Sequence, residues 1–315
     1  MNKRKKIGFI LLLALFLCTG CVGRTESLET VKNEGDVQIV EASSWSSIRD
    51  GKIHNVNTVS FGNTAIKIQK QLLRGMEMRH LFIDNIPIYE IRPIDSSSAK
   101  MVIFLHGQYS RKEEFLADMV QFAENGYCCV TIDLACHGER INSTPVMSLE
   151  ITKQTAQDID VVLDFYRSCH IANADEIALV GFSQGGSVAY FYTAYGEICP
   201  NALVVGSTTP DYTYYVEDIS IKDGRMSDSI WTEEEIDRFV EDNNPVNNIS
   251  RFYSVPILSG NNTKDPIISY KGSESFEMQL HHMNSELRFY YYESSDHNVP
   301  ENFILKILPF IKEHL

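Results

Sequence analysis

Hydrophobic positions along this chain change period from segment to segment, and each change marks an element. Residues 78–83 and 86–91 flank Asp84-Asn85, a two-residue turn signal, and predict a leading antiparallel hairpin. Residues 101–105, 127–132 and 177–180 are largely apolar and uninterrupted, as expected of strands buried on both faces of a mostly parallel sheet. Between them apolar residues return at helical spacing. Phe115, Leu116, Met119, Val120, Phe122 and Ala123 do so within 114–124, where Asn125-Gly126 supplies the stop. Ile151, Thr155, Ile159, Val162 and Tyr166 form one stripe within 149–167. Residues 202–206, 255–259 and 287–292 predict further strands, with helices over 273–282 and 304–315. Strand and helix alternate, so the expected fold class is α/β with a doubly wound, mostly parallel sheet.

Two stretches break the rhythm. Residues 207–250 carry Asp211-Tyr212-Thr213-Tyr214-Tyr215, the capping-box pair Thr232 and Glu235, and the turn Asn243-Asn244-Pro245. They predict a small cap insertion over the crevice where doubly wound sheets bind ligands; packing of the tyrosines on the sheet edge is the equal alternative. Residues 22–63 are polar with few periodic apolar positions and predict a tether and N-terminal extension, followed by a short helix over 65–75. The expected organisation is residues 1–20, then 21–63 as tether and extension, then a domain over 64–315.

Residues 1–20 read as a targeting segment. Asn2-Lys3-Arg4-Lys5-Lys6 is a basic n-region, and residues 7–17 are an apolar stretch too short for an ordinary spanning helix. The following Leu17-Cys18-Thr19-Gly20-Cys21 resembles the bacterial lipoprotein signal, with Cys18 where that signal usually has Leu. The resemblance implies cleavage before Cys21, lipidation of Cys21 and an extracytoplasmic location on the bacterial cell membrane; the alternative is plain secretion. Cleavage removes four of the 28 basic residues and none of the 42 acidic ones, leaving 24 against 42, a net charge of −18. Such a surface repels phosphate backbones, so no nucleic-acid partner is expected.

Composition changes little else. Hydrophobic content of 43% and charged content of 22% exclude a mostly disordered chain. Cys128, Cys129, Cys136, Cys169 and Cys199 are odd in number and lack metal-site spacing, so no disulfide framework is predicted, and Cys128 and Cys129 read as buried small hydrophobes.

The candidate chemistry centres on Gly181-Phe182-Ser183-Gln184-Gly185, a G-x-S-x-G between a strand and a helix-like segment. A serine at such a turn projects its Oγ above the sheet, and flanking glycines let strand and helix approach. Alone the pattern is weak, since roughly one chain in ten of this length carries it by chance. A nucleophilic serine also needs a base and a group to orient that base. Asp265 follows the strand 255–259, and His297, in Ser294-Ser295-Asp296-His297, follows the strand 287–292, which gives the chain order Ser, Asp, His.

With these residues the chain resembles the α/β-hydrolase superfamily from about residue 79 to 315. His106-Gly107, the loop 133–140, the elbow, residues 260–265 and Asp296-His297 look like the dienelactone-hydrolase and prolyl-oligopeptidase-like branch of small bacterial serine esterases. The resemblance implies that Ser183 attacks an acyl carbonyl, His297 serves as base and then acid, and Asp265 orients His297. It also implies an oxyanion hole from the backbone N–H groups of Gln184 and Gln108, with Tyr109 as a fallback for the second. No cofactor is implied, and the substrate is a small-molecule ester. Competing acids and bases are Asp296, His281 and His282; His106 reads as a support for its loop. Asp133, His137, Glu139 and Arg140 invite a metal reading but are better explained as a polar loop beside the site, so no metal is assigned. Asn142, Asn248 and Asn261 open N-x-S/T patterns that read as polar loops. The expected activity is cleavage of carboxylic esters through an acyl-enzyme; the alternatives are an aminopeptidase or amidase on the same fold, or a surface binding protein with an idle triad.

Overall fold

The computed structural model describes residues 29–34, 37–49, 52–54, 75–94, 97–140, 147–214 and 231–315, the first three segments through their backbone alone. The signal segment, Cys21 and all of the expected helix 65–75 except Gly75 lie outside those residues.

Strands β4 (Met76–Ile83) and β5 (Ile86–Pro93) form the leading hairpin. Asp84 and Asn85 both have positive φ, 49° and 66°. Paired positive φ values are what a two-residue hairpin turn needs to match strand twist, and Asn and Asp tolerate them. Strands β6 (Lys100–Leu105), β7 (Cys128–Ile132), β8 (Asn173–Phe182), β9 (Ala202–Gly206), β10 (Ile257–Asn262) and β11 (Leu287–Tyr292) follow. The sheet order from β4 onward is β4-β5-β7-β6-β8-β9-β10-β11, with β5 antiparallel to both neighbours and every later pair parallel.

Side-chain alternation explains why these strands read as unbroken apolar runs. Met101, Ile103 and Leu105 point to one face with Leu179 and Val205, where helices α2 (Ser148–Cys169) and α3 (Gln184–Tyr195) pack. Val102 and Phe104 point to the other with Val180 and Val204, against Met119 and Phe122 of α1 (Leu116–Ala123) and Phe303, Ile307 and Phe310 of α6 (Glu301–His314). Each face is dry, so alternation in direction leaves no polar gap in the sequence.

The segment between β9 and β10 contains α4 (Glu233–Asn243), opened by the capping box of Thr232 and Glu235 that the sequence predicted. Helix α5 (Lys271–Leu280) lies between β10 and β11.

Several elements differ from expectation: α5 spans 271–280 rather than 273–282, α6 spans 301–314 rather than 304–315, and β8 spans 173–182 rather than 177–180. Strand β10 begins at Ile257 rather than 255 because Pro256 has no N–H to give; its carbonyl accepts from Leu203, and pairing runs on through Asn262. Helix α3 starts at Gln184, immediately after the serine, since Gly185 and Gly186 hide a helix start from propensity. The stretch 22–63, expected to be irregular, contains β1 (Glu29–Glu34), β2 (Val37–Arg49) and β3 (Lys52–His54). Strand β2 pairs antiparallel with β4 and carries β1 and β3. Its run of serines weakens the alternation a sequence pattern relies on, while the open edge of β4 supplies a partner that no local pattern reveals.

Candidate active site

From β6 the chain crosses to β7 on one side and then returns to β8 on the other. The loops leaving β6 and β8 therefore part at their C-terminal ends and leave a crevice there. Ser183 stands at the end of β8 in that crevice, with φ 53° and ψ −123°. This backbone geometry is unfavourable for a side chain other than hydrogen and persists only when the surroundings impose it.

The surroundings are the glycines. A Cβ on Gly181 would lie 2.3 Å from the Gly185 carbonyl oxygen, and one on Gly185 would lie 2.1 Å from that of Leu105. A Cβ on Gly186 would meet Thr208 at 2.6 Å. The turn is also pinned by hydrogen bonds, with the Ser183 N–H donating to Gly206 O at 2.9 Å and Ser187 N–H to Ser183 O at 3.1 Å.

Two other loops reach the serine. His297 Nε2 lies 2.9 Å from Ser183 Oγ, and its Nδ1 lies 2.8 Å from Asp265 Oδ2. The Asp265 side chain is 2% exposed and that of His297 20%. The remaining Asp265 oxygen, Oδ1, accepts from the N–H groups of Ile267 at 2.7 Å and Ile268 at 3.1 Å. With Oδ1 taken up by these two N–H donors, Oδ2 is left to accept from Nδ1 of His297, an arrangement that places the ring proton on Nδ1 and leaves Nε2 to accept from Ser183. Asp296 turns its Oδ1 to the Asn298 N–H at 3.0 Å. His281 and His282 are exposed in the turn after α5 and pair ring to ring at 5.2 Å.

The loop after β6 passes close by. A Cβ on Gly107 would lie 3.5 Å from Ser183 Cβ, so Gln108 starts beside Ser183. Residues 107–110 form a tight turn, Ser110 N–H to Gly107 O at 3.2 Å, in which Tyr109 takes φ 64° and is largely exposed. Gln184, at the first turn of α3, has a backbone N–H that the helix itself does not use, while its side-chain amide donates to Ser148 O at 3.2 Å.

His106 supports this loop. Its fully buried ring bridges Gly107 O, 2.8 Å from Nδ1, and the N–H of Leu134, which donates to Nε2 at 3.1 Å. Burial, opposed by the Gly107 carbonyl and the Asp133 charge, pushes its pKa down to about 4.

The loop after β7 is polar for a structural purpose that the sequence did not show. Its partner is Lys112, fully buried, whose Nζ meets Asp133 Oδ2 at 2.6 Å and Glu139 Oε2 at 2.8 Å and whose N–H meets Asp133 Oδ1 at 2.9 Å. Burial alone would push the Lys112 pKa down, yet Asp133 and Glu113 carry it above the ordinary value. Burial likewise opposes ionisation of Glu139, but His80 and Lys112 hold its carboxyl down at about 2. Arg140 binds Asp158 Oδ2 at 2.5 Å, and His137 Nδ1 lies 2.9 Å from Ala135 O. Asp133, His137, Glu139 and Arg140 thus each have a protein partner, and this ion-pair cluster ties the loops after β6 and β7 together.

A model of the alpha/beta hydrolase family matches residues 102–253, which include Ser183 and stop short of Asp265 and His297. The chain is 24% identical over 265 residues to the Bacillus subtilis (strain 168) protein named "Putative esterase YitV", covering 79% of this chain and 100% of that one. An acetyl xylan esterase from Paenibacillus sp. R4 superposes with a TM-score of 0.59 at 17% identity, covering 77% of this chain and 85% of that one. Acetyl xylan esterase 1 from Thermoanaerobacterium sp. JW/SL YS485 superposes with a TM-score of 0.60 at 15% identity, covering 88% and 87%. The fold is the α/β-hydrolase fold, as the sequence predicted.

Proposed function

We propose that this α/β-hydrolase-fold chain is a serine esterase that cleaves carboxylic esters through an acyl-enzyme. The observation that carries the proposal is the unbroken hydrogen-bonded path from Ser183 Oγ through His297 to Asp265, at 2.9 and 2.8 Å. In the first step His297 Nε2 takes the Ser183 proton as Oγ attacks the ester carbonyl. Asp265 holds the ring in place and stabilises its positive charge. The N–H groups of Gln184 and Gln108 receive the oxyanion, each worth on the order of 3 kcal/mol of barrier. His297 then protonates the departing alcohol, and water, deprotonated by the same nitrogen, releases the acid and restores Ser183. Likeness in sequence to a protein named as a putative esterase, matched over its whole length, supports an ester over an amide.

The test is hydrolysis of p-nitrophenyl esters of rising chain length and of aminoacyl-anilides by wild type and by Ser183→Ala. Ester turnover is expected, with a loss of at least about 10³-fold in the variant. Equal rates in both proteins sink the mechanism; turnover of the anilides alone makes the chain an amidase or aminopeptidase, and binding without turnover makes it a binding protein.

We further propose that residues 1–20 are removed and that Cys21 carries the lipid that holds the domain on the outer side of the cell membrane, from Cys21 in its lipoprotein-like context. A radioactive fatty acid should label the protein and fail to label Cys21→Ser. Labelling that survives the substitution refutes the anchor.

A further inference from the structure

Strand β10 ends in Gly260, Asn261 and Asn262, and all three are buried. Burying an amide side chain is costly unless its donors and acceptor find partners. Asn261 finds them locally, accepting from Thr208 N–H at 3.1 Å and donating to Ser259 Oγ at 3.1 Å. Asn262, only 1% exposed, places its Nδ2 2.8 Å from the carbonyl of Asp296 and 2.8 Å from that of Asn298. Those two residues flank His297. The amide has one acceptable orientation, because a flipped side chain would set its oxygen against two carbonyl oxygens. Its Oδ1 is buried with no hydrogen-bond partner. A buried amide that leaves its acceptor unmet is retained at a cost, so its two donors must serve something.

Asp296 N–H to Ser294 Oγ at 3.0 Å and Asn298 N–H to Asp296 Oδ1 at 3.0 Å are internal to the His297 loop, and Lys264 ties its start to the Asp265 loop, N–H to Ser294 O at 3.1 Å and Nζ to Glu293 Oε1 at 2.7 Å. None of these bonds takes the carbonyls of Asp296 and Asn298. The carbonyl of Asn262 also accepts the N–H of Asp265 at 3.3 Å. One residue at a strand end thus holds the loop of the base on both sides and the first turn of the loop that carries the acid.

We propose that Asn262 is a positioning residue for His297: by fixing the peptide groups on either side of it, Asn262 sets the distance of Nε2 from Ser183 Oγ. The role rests on the serine-esterase reading above. It predicts that Asn262 variants stay folded and keep a reactive serine that reacts slowly.

The experiment compares wild type, Asn262→Leu and Asn262→Asp, using the final extent and the rate of labelling by a fluorophosphonate and kcat and KM for p-nitrophenyl acetate. The expected result is an extent of labelling like that of wild type, with labelling rate and kcat lower by roughly 10²-fold, the loss typical of a misplaced reacting group. KM should change by less than about threefold, because the lost contact acts on the base and not on substrate. Asn262→Asp should be the slower, with its carboxylate facing two carbonyls. In a His297→Ala background, Asn262→Leu should cost less than about twofold more, since the group it positions is gone. Wild-type rates in either variant overturn the proposal. So does a loss matched by the fall in labelled fraction, an undiminished loss in the His297→Ala background, or failure of both variants to give any labelled enzyme, which would make Asn262 a residue of the fold alone. A wild-type protein that takes no label overturns the esterase reading and this role with it.

Discussion

Asp265 Oδ2 lies 2.8 Å from Nδ1 of His297, although Asp296 is that histidine's neighbour in the chain. Successive residues of a loop point apart, and Asp296 uses its carboxylate to hold the N–H of Asn298. Replacing Asp265 by Asn would present either an amide N–H to Nδ1 or an oxygen without charge, and the imidazole would lose both its tautomer and its counter-charge. The expected outcome is a fall in kcat of at least about 10³-fold for Asp265→Asn, against less than about tenfold for Asp296→Asn. Steady-state kinetics on an activated ester decide between them; a near-normal Asp265→Asn would send the role of acid elsewhere.

Two glycines separate steric need from backbone need. Gly185 has ordinary φ, but a Cβ there would run into the Leu105 and His106 carbonyl oxygens at 2.1 and 2.6 Å, and neither strand end can give way. Gly126 has φ 93° with open space around it. Gly185→Ala should therefore cost ester turnover by more than about 10²-fold, as Ser183 and the Gln108 loop are pushed apart. Gly126→Ala should lose about 1–2 kcal/mol of stability through its backbone alone and keep its turnover. Urea unfolding and ester turnover, run on both variants, test the contrast.

Stability should fall in weak acid because of His106. Its pKa is pushed down to about 4 by burial from an ordinary 6.5, so between those values the unfolded chain binds a proton that the folded one refuses. Stability therefore rises with pH across that window and levels off above about 6.5. The geometry gives the same sign, since a proton on Nε2 would confront the N–H of Leu134 that now donates to it, and the Gly107 carbonyl at Nδ1 and Asp133 at 3.8 Å offset this only in part. The drop is on the order of 3 kcal/mol for this group. A His106→Gln variant should show a flatter profile of melting temperature against pH from 7 to 4; an unchanged slope would assign the acid sensitivity to other groups.

What was legible in the sequence follows from where the information resides. Residues 101–105 and 202–206 announce themselves because both faces of the sheet are dry, and Asp84-Asn85 because few residues accept two positive φ values. Ser183, Asp265 and His297 could be placed from chain order, since each follows a strand that ends at the same edge. Lys112 and Asn262 could not. A lysine next to Glu113 and Glu114 looks like an exposed helix start, and only the fold reveals that it meets Asp133 across 21 residues. An asparagine before Thr263 looks like a turn, and its partners lie 34 and 36 residues away. Strands β1–β3 escaped for the same reason, since their partner β4 is known only once the sheet exists.

The insertion between β9 and β10 has a consequence for how such a protein can change. It leaves the sheet after Gly206 and rejoins it at Ile257, on strands that are hydrogen-bonded neighbours, with Gly206 opposite Gly260. The two strands are parallel, with Ile257 opposite Leu203, so the insertion leaves at the C-terminal edge of the sheet and must cross a face to rejoin at the N-terminal edge, and none of Ser183, Asp265 or His297 is part of it. It is also anchored beside the Ser183 turn, Thr208 Oγ1 to Ser187 Oγ at 3.0 Å and the Tyr212 hydroxyl to Ser187 O at 3.4 Å, so a segment of different length can be accommodated there only if it leaves those anchors and the strand register in place.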